Sequence, residues 1–569
     1  MTTASRATGW HLGRWRLIDR LIAGTALILM LVGLSWLIGA DRGLSKTRIR
    51  VGQTPVTVSM QAETEQAPVV VIAHGFSGSR QMMASFARTL ARNGYVAVNL
   101  DFPGHGANPR PLEGEIGEQR RTRILLDALA AVVDHASTLP QYDGRLALLG
   151  HSMAGDIAVR YADRSPAAEP KASADEPRQP AAPRLDPAAD LDALVAVSPY
   201  LSEELGAHRP GRTPDNLLFI YGAWEPRMIL EQGRAAVAAV ANLPSDAIQP
   251  SVTYGDHGDG SARRLVIADH VEHIGVLYSA RALRAALDWL DQVFERESSG
   301  WVDARGAWLG LYFLGAILLA WPFSRLLPRI SSEPLGADLG GRRLALAALL
   351  PALLTPLILW PLPTDFLAIA IADYIALHFL VYAALTALML ALIRRQPSNP
   401  PSSAQTAGPP MGRGGAIGRG SASVSASAFG VAVLAVIAYQ ALIIALPIDL
   451  YVAAFLPDPH RFGTLLVLSV ATLAWFIADE WLTRGRGAFI GRYALTKVLF
   501  LLSLILAVVL NLEELFFLVI IIPAILILFV VFGLFSGWIY RRTGHPLVAA
   551  LANALFLATA IAVSFPIAD

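Results

Sequence analysis

Hydrophobic and polar positions divide the chain into three stretches. An apolar run from about Leu21 to Ile38 follows the arginines Arg6, Arg14, Arg16 and Arg20. Residues 41 to about 300 then carry short apolar clusters separated by polar, turn-forming segments. Beyond them long apolar runs return, at about 306–324, 344–361, 366–393, 427–447, 463–481, 490–510, 515–538 and 547–567. Runs of this length cross the hydrocarbon of a bilayer when helical. The pattern therefore predicts a first membrane helix within 1–40, a water-soluble unit over 41–300, and an all-α polytopic membrane region of eight helices over 301–569, nine spans in all. Gly39 and Ala40 would also suit a signal-peptide cleavage site, but the later spans favour an uncleaved anchor.

Within the middle stretch the clusters predict a strand pair at 48–51 and 55–60, then strands at 69–73, 95–100, 145–149, 194–197, 217–221 and 251–254. Helices are expected at 81–93, 118–138, 156–161, 229–241 and 279–294. Strands alternating with helices imply βαβ units and a doubly wound, mostly parallel sheet. Unbroken apolar strands such as Val69 to Ala73 suit a sheet covered on both faces. The Pro- and Ala-rich segment 165–189 reads as a surface loop, and the connection 199–216 is too short for a cap over the sheet.

Composition sharpens this picture. A hydrophobic fraction of 54% and a mean hydropathy of +0.47 are too high for an ordinary soluble protein. With a net charge of +1 and no interleaving of basic and aromatic residues, no nucleic-acid partner is expected. The absence of cysteine excludes disulfides and thiolate nucleophiles, and no spacing of His and carboxylates argues for a metal or other cofactor. Lys46, Lys171 and Lys497 are the only lysines, an arginine bias that points to a GC-rich, bacterial genome. Alternate connections hold Arg325, Arg329, Arg342 and Arg343, then Arg394, Arg395, Arg413 and Arg419, then Arg484, Arg486 and Arg492, then Arg541 and Arg542. The opposite set, near Asp365, Asp458 and Glu513, holds only Arg461. The first set is therefore expected in the cytoplasm together with the amino terminus, with the Pro-, Gly- and Ser-rich segment 396–426 as a flexible cytoplasmic loop. The middle unit then lies outside, on a multi-pass protein of the cell membrane.

Candidate chemistry centres on Gly150-His151-Ser152-Met153-Ala154-Gly155, between a strand and a helix. A strand, a sharp turn and a helix hold a serine hydroxyl clear of the sheet, and the turn needs small residues on both sides of the serine. Gly150 and Ala154 are those neighbours. Two more motifs follow strands: His74-Gly75-Phe76-Ser77-Gly78 and Asp101-Phe102-Pro103-Gly104-His105-Gly106. Together, in this order and spacing, the three resemble the α/β-hydrolase superfamily over about residues 48–296.

A serine nucleophile needs an imidazole to take its proton and a carboxylate to fix the imidazole tautomer. By the resemblance, the acid follows the strand after Ser198, where Glu225 stands in Gly222-Ala223-Trp224-Glu225 although the family more often has Asp; Glu203 and Glu204 are the reserves, and Asp215 lies at the wrong end of its strand. The base is expected at His273, ahead of His270 and then His257. The resemblance also implies oxyanion donors at the backbone N–H groups of Phe76 and Met153. His74 and His105 are read as shaping their loops, and Asp101 and Asp156 as structural.

Inside the spans, Asp373 and His378 stand about 140° apart around one helix and do not share a face. Lys497, Asp479 and Glu480 lie near span ends and are expected to reach towards the headgroups. The function expected is ester hydrolysis at an open, uncapped site, on a lipid-like or bulky ester. The alternatives are an acyltransferase or transporter in which Asp373 and His378 matter, a serine aminopeptidase-type peptidase, and a non-catalytic binding module.

Overall fold

The computed structural model describes residues 17–568 apart from 115–116, 164–190, 202–213, 365, 370, 396–424, 487 and 489–490. The expectations for 165–189, for nearly all of 396–426, and for Glu203, Glu204 and Asp365 fall outside the described residues. Helix α1 (Leu17–Gly39) is followed by strands β1 (Leu44–Val51), β2 (Thr54–Gln61) and β3 (Ala67–Ala73). Then come α2 (Ala84–Arg92), β4 (Val96–Leu100), α3 (Gln119–Ser137), β5 (Tyr142–His151), α4 (Met153–Ala162), β6 (Ala193–Val197) and β7 (Leu217–Gly222). Helix α5 (Arg227–Ala241), strands β8 (Thr253–Tyr254) and β9 (Arg263–Ala268), and α6 (Ala280–Val293) complete this part.

The strands form one nine-stranded sheet in the order β1-β2-β4-β3-β5-β6-β7-β9-β8. From β4 to β9 neighbouring strands are parallel, whereas β1, β2 and β8 join antiparallel. Alternation along β3 shows why its apolar run is unbroken: Val69, Val71 and Ala73 enter the core on one face, Val70 and Ile72 the core on the other. This is the α/β-hydrolase fold. The strand expected at 251–254 is only the two-residue edge strand β8, and the sixth parallel strand is β9, which apolar texture alone does not single out. Its first residues are arginines. Arg263 is nevertheless buried, its guanidinium donating to the carbonyls of Gly260, Ala262 and Pro214.

The remaining helices are α7 (Arg305–Leu326), α8 (Gly341–Leu359), α9 (Ala372–Arg395), α10 (Ala426–Tyr439), α11 (Leu446–Tyr451), α12 (Phe462–Thr483), α13 (Arg492–Leu510), α14 (Leu512–Thr543) and α15 (Leu547–Ser564). A π-helical turn, Gln440–Ala445, joins α10 to α11. Among the described residues nine helical segments are long and apolar enough to cross a membrane. Helices α1 and α7 run antiparallel and close: a Cβ on Gly33 would stand 2.7 Å from the Trp308 carbonyl oxygen, and one on Gly315 2.7 Å from that of Ala26. The small residues at these positions permit this approach. Trp36 stacks on Trp308 with ring centres 4.8 Å apart, so the two chain ends of the sheet-containing part emerge side by side.

The ionisable groups of these helices depart from expectation. Lys497, Asp479 and Glu480 do not reach outwards; all three are buried. The Lys497 ammonium pairs with Asp479 and stands 4.2 Å and 4.5 Å from the ring centres of Tyr493 and Trp475. Glu480 accepts from Arg484 Nε at 2.9 Å and from the Ser536 hydroxyl. A buried charge is tolerated when paired, and these helix faces meet one another. Asp373 accepts the backbone N–H groups of Phe366 at 2.8 Å and Tyr374 at 3.0 Å, holding the start of α9. His378 is buried among aromatic rings and contacts Ser503 Oγ at 3.2 Å. Asp479→Asn, which strands the Lys497 charge, is expected to destabilise the protein by about 3–5 kcal/mol; heat-induced unfolding in detergent, beside Asp479→Leu combined with Lys497→Met, which restores much of the loss, checks this.

The helical region also meets the carboxyl ends of β3 and β4. Ile567 N donates to the Gly104 carbonyl and Leu112 N to the Ile567 carbonyl, both at 2.9 Å. The buried Arg461 guanidinium donates to Gly104 O at 2.7 Å and to the carbonyls of Ala562 and Phe565. Ala454 N donates to Ser79 Oγ at 3.1 Å.

Candidate active site

In an open α/β sheet, ligands bind beyond the carboxyl ends of the strands where the strand order reverses. Here that point lies between β3 and β5, and both strands end in the motifs already noted. Ser152 follows β5 directly with φ 54° and ψ −119°, a left-handed conformation that an L-residue adopts only under constraint. Its N–H is held by Val197 O at 2.8 Å. The turn leaves no room beside it: a Cβ on Gly150 would stand 2.3 Å from the Ala154 carbonyl oxygen, and one on Gly155 2.8 Å from Pro199 Cβ. Ala154 fits in the core beneath the turn.

Glu225 stands on the turn after β7. Its Oε1 accepts the Gly222 N–H at 2.7 Å and the Ser198 hydroxyl at 2.5 Å, and its Oε2 faces His273 Nδ1 at 3.0 Å. Its side chain is fully buried. His273 follows β9, and Gly222 lets that loop come close, since a Cβ there would stand 2.4 Å from Val271 O. His273 Nε2 lies 2.9 Å from Ser152 Oγ. A carboxylate on one ring nitrogen fixes the proton there and leaves the other nitrogen as an acceptor for the serine hydroxyl.

Two groups that the sequence alone does not assign support this arrangement. His151 donates through Nε2 to the His273 carbonyl at 3.0 Å; burial first, then the charge of the neighbouring His273, pulls its pKa down to about 3, so it stays neutral. Ser198, with φ 49°, delivers its hydroxyl to Glu225. His151 is marked only by its place beside the nucleophile; Ser198 has no local signal beyond ending a strand.

The loop after β3 brings a backbone close to Ser152: a Cβ on Gly75 would stand 2.8 Å from Ser152 Cβ. Phe102 N donates to His74 Nε2 at 3.0 Å, so the His74 proton is on Nδ1 and bonds the Gly75 carbonyl at 2.8 Å. Gly78 N also donates to that carbonyl at 3.0 Å. In a trans peptide the N–H of Phe76 then points the opposite way. Met153 supplies the first N–H of α4, and helix N-termini favour negative charge. Burial lowers the pKa of His74, and holds that of His105 well below the usual range, so both rings are neutral fixtures of their loops. His105 bonds Pro103 O at 2.9 Å.

The other candidates fall away from the serine. His270 is exposed, with its ring edge-on to Trp224. His257 packs on Trp289 with ring centres 4.7 Å apart. Asp215 lies before β7, beside Gly260. Asp101 binds Arg80 and Asp156 binds Arg160. No cluster of His, Cys, Asp and Glu with metal-holding geometry occurs among the described residues. The Phe76 ring packs against the helical core and lies 6.4 Å from that of Phe565.

Residues 64–172, which include the loop after β3 and the Ser152 turn, match the family model described as serine aminopeptidase, S33. No curated protein matches the chain. Among solved structures, similarity is found to the dienelactone hydrolase of Anabaena variabilis at 15% identity, covering 45% of this chain and 98% of that one with a TM-score of 0.27. A predicted CIB-like hydrolase of Thermoplasma acidophilum is similar at 16% identity over 44% of this chain and 98% of that one, with a TM-score of 0.30. A putative dienelactone hydrolase of Klebsiella pneumoniae is similar at 16% identity over 45% and 99%, with a TM-score of 0.29.

Proposed function

We propose that this protein is a membrane-embedded serine hydrolase that cleaves an acyl ester, lipid-like or bulky, through an acyl-enzyme on Ser152. The observation that carries the reading is the unbroken run of hydrogen bonds from Glu225 through His273 to Ser152. Ser152 Oγ attacks the ester carbonyl as its proton passes to His273 Nε2, and the N–H groups of Phe76 and Met153 receive the oxyanion. The C–O bond breaks, His273 protonates the departing alkoxide, and an alcohol leaves. Water then attacks the acyl-enzyme, gives its proton to His273, and releases the carboxylic acid with Ser152 restored.

The catalytic unit is residues 41–300, held outside the cell membrane between the first span and the eight of 301–569; the arginine distribution supports that sidedness. A second reading, amide cleavage by the same residues, is favoured by the family description of the matched segment. Fluorophosphonate labelling of the full chain in detergent, with the modified peptide located by mass spectrometry, tests the proposal. Label on Ser152 is the expected result; a folded wild-type protein that takes no label would sink it.

A further inference from the structure

The first turn of α3 carries a cation that no carboxylate meets among the described residues. Arg121 is 6% exposed. Its Nη1 donates to the Gly114 carbonyl at 3.1 Å, and its Cζ stands 5.7 Å from the centre of the Phe76 ring. Its Nη2 is buried, and no hydrogen-bond partner for it occurs among the described residues. Burial alone pulls this guanidinium down to about 10. A buried charge lacking a counter-ion is costly, so the cost is accepted for a reason or relieved by a ligand.

The surroundings favour a ligand. Phe76 follows Gly75, the residue whose backbone abuts Ser152. Ser77, next in the chain, has a left-handed φ of 59° and a buried hydroxyl with no partner among the described residues. His105 meets the Phe76 ring edge-on at 5.9 Å. Arg121 Nη2 and the Ser77 hydroxyl are thus two buried donors without a partner among the described residues, on and beside the loop nearest the nucleophile.

We infer that Arg121 is a specificity-determining residue that holds an anionic group of the ester substrate, a phosphate or a carboxylate, beside the loop that faces Ser152. This rests on the hydrolase reading above. The guanidinium fork matches both anions, and the Ser77 hydroxyl adds a donor. Phe76 and Phe565, in edge contact at 6.4 Å, offer the carbon chain an apolar surface, so the substrate is an anionic amphiphile.

The test uses the purified full chain in detergent, as wild type, Arg121→Met and Arg121→Lys. Two matched pairs are hydrolysed: dihexanoylphosphatidic acid beside dihexanoylglycerol, and mono-p-nitrophenyl succinate beside p-nitrophenyl butyrate. The wild type should favour the anionic member of at least one pair by about tenfold in kcat/KM, and the pair that responds tells phosphate from carboxylate. Arg121→Met should lose that preference mainly through KM, and Arg121→Lys should keep part of it. Equal wild-type rates within both pairs, or a preference that survives Arg121→Met, overturns the assignment. If Arg121→Met does not fold, the wild-type ratios and Arg121→Lys decide. Calorimetric binding of the two dihexanoyl lipids to Ser152→Ala makes the same distinction without turnover, whereas absence of fluorophosphonate label at Ser152 counts against the hydrolase reading alone.

Discussion

Ser152→Ala is expected to lower kcat for an activated ester by about 10⁴-fold or more and to abolish fluorophosphonate labelling. The reason is chemical rather than steric. Removing the hydroxyl leaves His273 and the backbone donors in place, so substrate still binds and the oxyanion is still met, but the path through a covalent intermediate is closed. His273→Ala should cost a similar factor, because an unassisted hydroxyl is a weak nucleophile at neutral pH. The double variant should be scarcely slower than either single one, as residues acting as a unit are not additive. Steady-state rates with purified protein check all three. A Ser152→Ala protein that keeps more than about a hundredth of the wild-type rate would show that another group carries the chemistry.

The second large effect is expected at Glu225. Glu225→Gln keeps the volume of the side chain but offers no charge to an imidazolium at His273. Its NH₂ group, turned towards Nδ1, would also favour the tautomer in which Nε2 bears the proton and cannot accept from Ser152; a loss of about 10⁴-fold in kcat is expected. Glu225→Asp separates geometry from charge. The carboxylate survives but withdraws by about one bond length, 1.5 Å, from His273, and a misplacement of that size costs about 10²-fold. The shortened side chain would also leave the Ser198 hydroxyl and the Gly222 N–H, which Oε1 now satisfies. A rate for Glu225→Asp equal to wild type would show that the length of this side chain has no part in the site, against the three contacts its two oxygens now make.

Particular residues show where the sequence is legible. Ser152 can be picked out because its constraint is local: a strained turn demands small residues within a few positions, and a Cβ on Gly150 would collide with the Ala154 carbonyl. Glu225 and His273 are reached through chain order in a similar family, and the structure brings them into contact with each other and His273 into contact with Ser152. Strand β9 escapes notice because Arg263 and Arg264 break its apolar texture, while burial of Arg263 depends on carbonyls supplied by other segments. Lys497 and Asp479 mislead for a related reason. A charge near the end of an apolar run looks the same whether lipid or another helix faces it, and these two lie eighteen residues apart on helices that pack together.

By itself the sequence determined the nine long apolar helices found among the described residues, most strands of the parallel sheet and the serine turn. Each follows from a short window of chain: transfer of apolar side chains out of water, repulsion between neighbouring atoms, and the twofold or 3.6-fold repeat of side-chain direction. Tertiary structure alone decided which histidine meets the serine 121 residues away, which carboxylate meets that histidine across 48, and that the helical region packs over the loop beside the nucleophile. It also left Arg121 buried without a counter-ion among the described residues. Contacts of this kind depend on how separate elements pack, and no local property of the chain encodes the distance between them.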